Sequence, residues 1–180
     1  MIPRALPRPK FWFTFLVVCV IALLFALAAR HTNKKNPIQG LADRVVVDKS
    51  RHTLTLLRQG NALKTYRVAL GRGGLGQKLR AGDNKVPEGL YTIVGRNAHS
   101  AFHLALRVGY PTPEQASEAR SRGVDPGGDI MVHGIKNGLG WVGALQSHVD
   151  WTKGCVAVTD SEIEEIWRAV PDGTAIEIRP

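Results

Sequence analysis

Residues Phe11 to Ala29, FWFTFLVVCVIALLFALAA, form a run of 19 residues without a charge. Coiled as a helix, the run is about 28 Å long, close to the ~30 Å hydrocarbon thickness of a bilayer. A helix that is apolar all round must be covered on every side. The rest of a 180-residue chain is too short to do that and also build a core of its own. The run is therefore read as a transmembrane segment, which divides the chain. Residues 1–10 are a basic N-terminal segment, 11–29 a transmembrane signal anchor, 30–42 a polar linker with Pro37 and Gly40, and 43–180 one domain of ordinary size. Ala26-Leu27-Ala28 also satisfies the small-x-small rule for signal cleavage. The run is longer than the ~7–15 residues of a signal core, however, and this favours an uncleaved anchor. Either way the domain is exported.

The charge supports this division. The chain has a formal net charge of +9, which at first sight suggests nucleic acid. Yet Arg4, Arg8, Lys10, Arg30, Lys34 and Lys35 put six of those charges in the first 35 residues, where there is no acid. What remains over 145 residues is too weak a field to define a nucleic-acid partner. Three Lys/Arg precede the apolar run and three follow it. The α-amino group tips that balance toward a cytoplasmic N-terminus and a domain on the periplasmic side of the inner membrane, as a single-pass protein.

From Arg44 the hydropathy pattern has period two. RVVVDK, HTLTLLR, ALKTYRVALG, LYTIVGR and AFHLALRVG read as strands separated by turn residues, DIMVHG and CVAVT are short apolar runs, and TAIEIRP closes the chain as another strand. Two helices are expected. Thr112-Pro113 opens PEQASEARSRG, and Thr159-x-x-Glu162 is a capping box ahead of Ile163, Ile166, Trp167 and Val170, which share one face. Asp160, Glu162, Glu164 and Glu165 near that helix start are read as structural acids. The expectation is a mainly β fold, two packed mixed sheets in a β-sandwich with short helices, preceded by the transmembrane helix.

Two motifs are set aside. Gly71-Arg-Gly73-Gly-Leu-Gly76 matches a dinucleotide fingerprint, but QKLRAGDNKVPEG follows it with no helical period. His99 and His103 are four apart in a segment that reads as a strand, too far apart there for one metal ion. No cofactor and no metal are expected.

Cys19 lies inside the apolar run, so Cys155 is the only thiol of the exported domain. In an oxidising compartment such a thiol is a liability unless it has a role, and a buried inert thiol is the alternative. His133-Gly134 ends a predicted strand, and Cys155 follows within Trp151-Thr152-Lys153-Gly154-Cys155-Val156. A thiol is mostly protonated at neutral pH, and an adjacent imidazole can take its proton. Glycine at 154 lets the backbone turn its N–H groups toward a developing oxyanion.

Three stretches together resemble the L,D-transpeptidase catalytic domain, the YkuD-like family of cell-wall enzymes. The first runs from Gly71 through Lys78, Gly82-Asp83 and Val86-Pro87-Glu88-Gly89-Leu90-Tyr91. The second is Asp129-Ile-Met-Val-His133-Gly134, and the third is Thr152-Lys153-Gly154-Cys155-Val156. The resemblance covers residues 43–179. It implies a peptidoglycan stem-peptide substrate and a cysteine acyl-enzyme. It also implies Cys155 as nucleophile, His133 as base, the Gly134 carbonyl orienting the imidazole, and backbone amides at 153–155 as an oxyanion hole. Trp151, Thr152, Lys153 and Gly154 would bind substrate, and a second stem or a lipoprotein would be the acceptor. The sequence departs from the family in having Lys153 where a second histidine stands, Ala157 two residues after the cysteine, and Val86 in the Pro-Glu-Gly motif. These departures raise an L,D-hydrolase with the same Cys-His pair, or a non-catalytic peptidoglycan-binding module, as alternatives.

Overall fold

The computed structural model describes residues 38–180. The basic segment, the anchor expected at 11–29 and the first part of the linker lie outside them. Among the described residues no helix is long and apolar enough to cross a membrane. The last residues of the expected linker belong to the folded body: Ile38 packs against the core, and buried Ala42 donates its N–H to the Ala169 carbonyl at 2.8 Å.

The predicted strands form, and the short apolar runs DIMVHG and CVAVT contain strands as well. They are β1 (Arg44–Asp48), β2 (Thr53–Arg58), β3 (Asn61–Arg67), β4 (Gly89–Ser100), β5 (His103–Val108), β6 (Met131–His133), β7 (Val156–Ala157) and β8 (Ala175–Arg179). Their hydrogen-bonded order is β3-β2-β1-β8-β4-β5-β6-β7. The pairings β1–β8 and β6–β7 are parallel and the others antiparallel, so the arrangement is mixed, as expected. The two expected sheets are joined through β4. Its first residues, Gly89–Thr92, pair with β8, and from Ile93 onward it pairs with β5. Beyond β3 the chain continues to Ala69, which pairs with Ala157 of β7 and links the two ends of the series.

Position in this order explains the local sequence. β1 sits between β2 and β8, and its Val45-Val46-Val47 run is buried on both faces. Leu54 and Leu56 of β2, and Ile176 and Ile178 of β8, alternate inward. Helices α1 (Pro113–Ser121) and α2 (Asp160–Ala169) both start in the capping boxes expected of Thr112 and Thr159. The α2 residues Ile163, Ile166 and Ala169 join the same core as the strands of both sheets. Its acids are engaged: Glu165 accepts from Lys64 Nζ at 2.6 Å and from the Tyr66 hydroxyl at 3.1 Å, and Glu164 Oε1 lies 2.9 Å from His103 Nε2.

One strand boundary differs from the sequence reading. AFHLALRVG is not extended throughout. Ala101-Phe102 turns the chain, and Ser100 pairs with His103 across the hairpin. His99 and His103 therefore stand on opposite arms of a hairpin, and the extended spacing assumed for them does not apply.

The long β3–β4 connection is tied down by two buried lysines. Lys49, fully buried, donates to Glu88 Oε1 at 2.6 Å and to the carbonyls of Gly76 and Val86, both at 3.1 Å. Lys78 donates to Asp83 Oδ1 at 2.9 Å, and Asp83 also accepts the backbone N–H groups of Leu79, Arg80 and Lys85. Burial pushes the Asp83 carboxyl up, but the Lys78 and backbone hydrogen bonds outweigh it and hold its pKa at about 2.

The unfolded carboxyl, near 3.8, takes up its proton before the folded one does. The stabilisation it provides is therefore complete above about pH 4 and lost as pH falls through about 2. Asp83→Asn is expected to destabilise the domain on the order of 2 kcal/mol at neutral pH, since it leaves the Lys78 ammonium buried without its partner. Urea unfolding of both proteins measures this, and the difference should shrink on acidification through that window.

Candidate active site

The site is made where β6 and β7 run side by side. Their register is Val132 with Val156 and His133 with Ala157. Cys155 directly precedes β7, so strand alternation puts it on the same face as His133, diagonally across the pair. Ala157 is on that face too and is fully buried. Cys155 is half-buried, and its thiol donates to the Asp129 carbonyl at 3.5 Å.

The imidazole of His133 is 4% exposed and held on three sides. Its Nδ1 lies 2.7 Å from the Gly134 carbonyl. A carbonyl can only accept, so Nδ1 carries the proton and Nε2 keeps its lone pair. Phe102 stacks against the ring at 4.6 Å between centroids, and Trp151 meets it edge-on at 5.7 Å. Trp151 opens the stretch that leads to Cys155, but no local motif marks Phe102. Phe102 arrives on the β4–β5 hairpin turn, which strand periodicity does not resolve.

The turn before Cys155 is organised by Thr152. Its hydroxyl donates to the Cys155 carbonyl at 2.8 Å and accepts the Gly154 N–H at 3.2 Å. Gly154 has φ +121°, and a Cβ there would lie 2.9 Å from the Lys85 carbonyl oxygen, so only glycine fits. The apparent fingerprint glycine Gly71 serves the same close approach, since a Cβ on it would lie 3.0 Å from the Gly154 Cα. The turn is anchored from behind by Asp150, which accepts the Leu70 N–H at 2.7 Å and lies 3.0 Å from His52 Nε2.

Of the residues expected to bind substrate, Thr152 and Gly154 are buried and shape the turn, Lys153 is exposed, and Trp151 packs on the imidazole. The 18 residues between His133 and Thr152 include a 3-10 segment, Gly140–His148, which the sequence reading did not foresee. Its buried Gln146 accepts from Trp151 Nε1 at 3.1 Å and donates to the Ala157 carbonyl at 3.3 Å. Beside Trp151 an apolar groove of about 270 Å³ runs along this segment, lined by Ile135, Leu139, Val142, Leu145 and Val149.

Comparisons with known proteins identify the family. The model of the YkuD family, the L,D-transpeptidase catalytic domain, matches residues 42–178. The chain belongs to that family. It is 30% identical over 142 residues to the protein named "Putative L,D-transpeptidase YafK" of Escherichia coli (strain K12), a match covering 76% of this chain and 50% of that one. The chain thus spans about half the length of the curated relatives it matches. Among solved structures, the helical cell shape determining protein Pgp2 of Campylobacter jejuni superposes with a TM-score of 0.57 at 20% identity, over 83% of this chain and 53% of that one. The L,D-transpeptidase of Xylanimonas cellulosilytica does so with 0.52 at 16% identity, over 86% and 68%. At these identities the likeness is one of fold.

Burial sets the resting protonation of the pair. It raises the Cys155 thiol above its ordinary value, with Asp129 adding to the rise and a hydrogen bond from the Met131 backbone and the charge of Lys78 opposing it. Burial also lowers His133, against the pull of the Gly134 carbonyl. Both shifts favour neutral thiol beside neutral imidazole. Alkylation of Cys155 by iodoacetamide should therefore keep rising with pH through and above the ordinary thiol range. A rate already level at pH 6–7 would mean a preformed thiolate–imidazolium pair and would contradict this assignment.

Proposed function

We propose that the protein is a cell-wall cysteine L,D-transpeptidase that acts on peptidoglycan stem peptides. The observation that carries this reading is the His133–Cys155 juxtaposition across β6 and β7, with the ring proton held on Nδ1 and the Nε2 lone pair left to act. The Cys155 thiol gives its proton to Nε2 as sulfur attacks the carbonyl of the bond between meso-diaminopimelate and the terminal D-alanine. The tetrahedral oxyanion is held by backbone N–H groups at the turn. The Gly154 N–H is engaged by Thr152, so this work falls to the amides of Lys153 and Cys155. His133 returns the proton to the leaving D-alanine amine, and a Cys155 thioester remains. An acceptor amine, from a second stem or a lipoprotein, then attacks the thioester while His133 takes its proton and passes it to the departing thiolate.

No metal or cofactor enters this chemistry. The domain works in the periplasm, held to the inner membrane by residues 11–29. Water as the acceptor gives the hydrolase alternative. What favours it is the site itself: Ala157, beside His133, brings no polar group, and Lys153 stands exposed in solvent.

A carbapenem is expected to add covalently to wild-type protein with a mass increase of one drug molecule, and not to Cys155→Ala. Intact mass spectrometry reads this directly, and an equal adduct on both proteins would end the nucleophile assignment. Tetrapeptide muropeptides incubated with an acceptor amine should yield acceptor-linked product. Tripeptide alone, with or without the amine, would make the protein a hydrolase, and muropeptides returned unchanged would make it a binding module.

A further inference from the structure

We propose that Asp160 is a positioning residue for His133, acting through the single peptide group that joins Gly134 to Ile135. The proposal rests on the acyl-transfer reading for the use made of the imidazole, although its test does not need the natural substrate.

One planar peptide carries both contacts. Its oxygen, on Gly134, accepts from His133 Nδ1 at 2.7 Å, and its N–H, on Ile135, donates to Asp160 Oδ1 at 2.8 Å. The carbonyl and N–H of a peptide are conjugated and coplanar. Holding the N–H therefore fixes the direction in which the carbonyl faces the ring. A hydrogen bond to an ionised acceptor is about twice as strong as a neutral one, and such bonds polarise one another along a chain. A carboxylate on the N–H makes the oxygen a better acceptor, and most so when the imidazole becomes imidazolium on receiving the thiol proton. The arrangement is an Asp–His pair with one peptide group inserted between the two side chains.

Room for the carboxylate is left by glycines on two segments. A Cβ at Gly134 would lie 2.8 Å from Asp160 Oδ1, and one at Gly140 would lie 2.3 Å from Oδ2. The other acids at this end of α2 have separate tasks. Glu162 accepts the Thr159 N–H, Glu164 meets His103, and Glu165 meets Lys64 and Tyr66. Favouring the helix dipole explains an acid at this position but not its contact with Ile135.

The test compares Asp160→Asn and Asp160→Ala with the wild type, using iodoacetamide alkylation of Cys155 at fixed pH and the ¹⁵N NMR signature of the His133 ring. Asparagine keeps an acceptor oxygen but no charge. Asp160→Asn is expected to hold the Nδ1–H tautomer and to alkylate about 3- to 10-fold more slowly. Asp160→Ala should mix the tautomers and alkylate more slowly still. An unchanged rate in Asp160→Asn overturns the proposal, as does a wild-type tautomer in folded Asp160→Ala. If Asp160→Ala does not fold, Asp160→Asn decides alone. Unchanged alkylation in a protein that turns over muropeptides refutes the role of Asp160 only, whereas the expected alkylation losses in a protein that leaves muropeptides intact refute the proposed function only.

Discussion

β7 is two residues long, yet it is hydrogen-bonded on both edges. One edge runs parallel to β6 and the other exchanges N–H and carbonyl bonds with Ala69. That double pairing puts Cys155 on the same face as the His133 imidazole. A one-residue slip of β7 against β6 would turn Cys155 to the opposite face from His133. The register is guarded on the Ala69 side by the loop that follows β3, which Lys49 and Lys78 tie down through buried ion pairs. Asp150 and the Thr152 hydroxyl then close the turn that leads into Cys155.

The candidate site is thus largely a backbone structure. Gly134 contributes a carbonyl, Gly154 a φ that a side chain would oppose, and Gly71 an open space. The side chains that fix this backbone come from distant parts of the chain. Asp160 reaches the Gly134–Ile135 peptide from α2, Gln146 reaches Trp151 and Ala157 from the 3-10 segment, and Phe102 reaches the imidazole from a hairpin. The acyl transfer proposed for this site depends on groups held in place before the substrate arrives.

Much of the fold was legible in the residues. Alternating or short apolar runs marked the strands, and Thr112 and Thr159 marked both helix starts, because strand patterning and capping are local effects. The turn at Ala101-Phe102 was hidden because its residues are as apolar as the strands they join. The 3-10 segment was hidden because Gly140–His148 has no regular period. The continuity of the two sheets through β4 was invisible for another reason: a strand that changes partners midway keeps the same alternation along its length.

The sequence by itself determined the mainly β class and, through three ordered motifs, the family, and it singled out one thiol and one histidine as the candidate reactive groups. Those follow from residue identity and short-range spacing. Only the tertiary structure decided which partners those groups have: the tautomer of His133, the buried positions of Thr152 and Gly154, the packing of Trp151 and Phe102 on the ring, and the link from Asp160 to the Gly134 carbonyl. The tautomer follows from the backbone conformation at the neighbouring Gly134, and the others join residues far apart in the chain, brought together by strand register and core packing that no local pattern encodes.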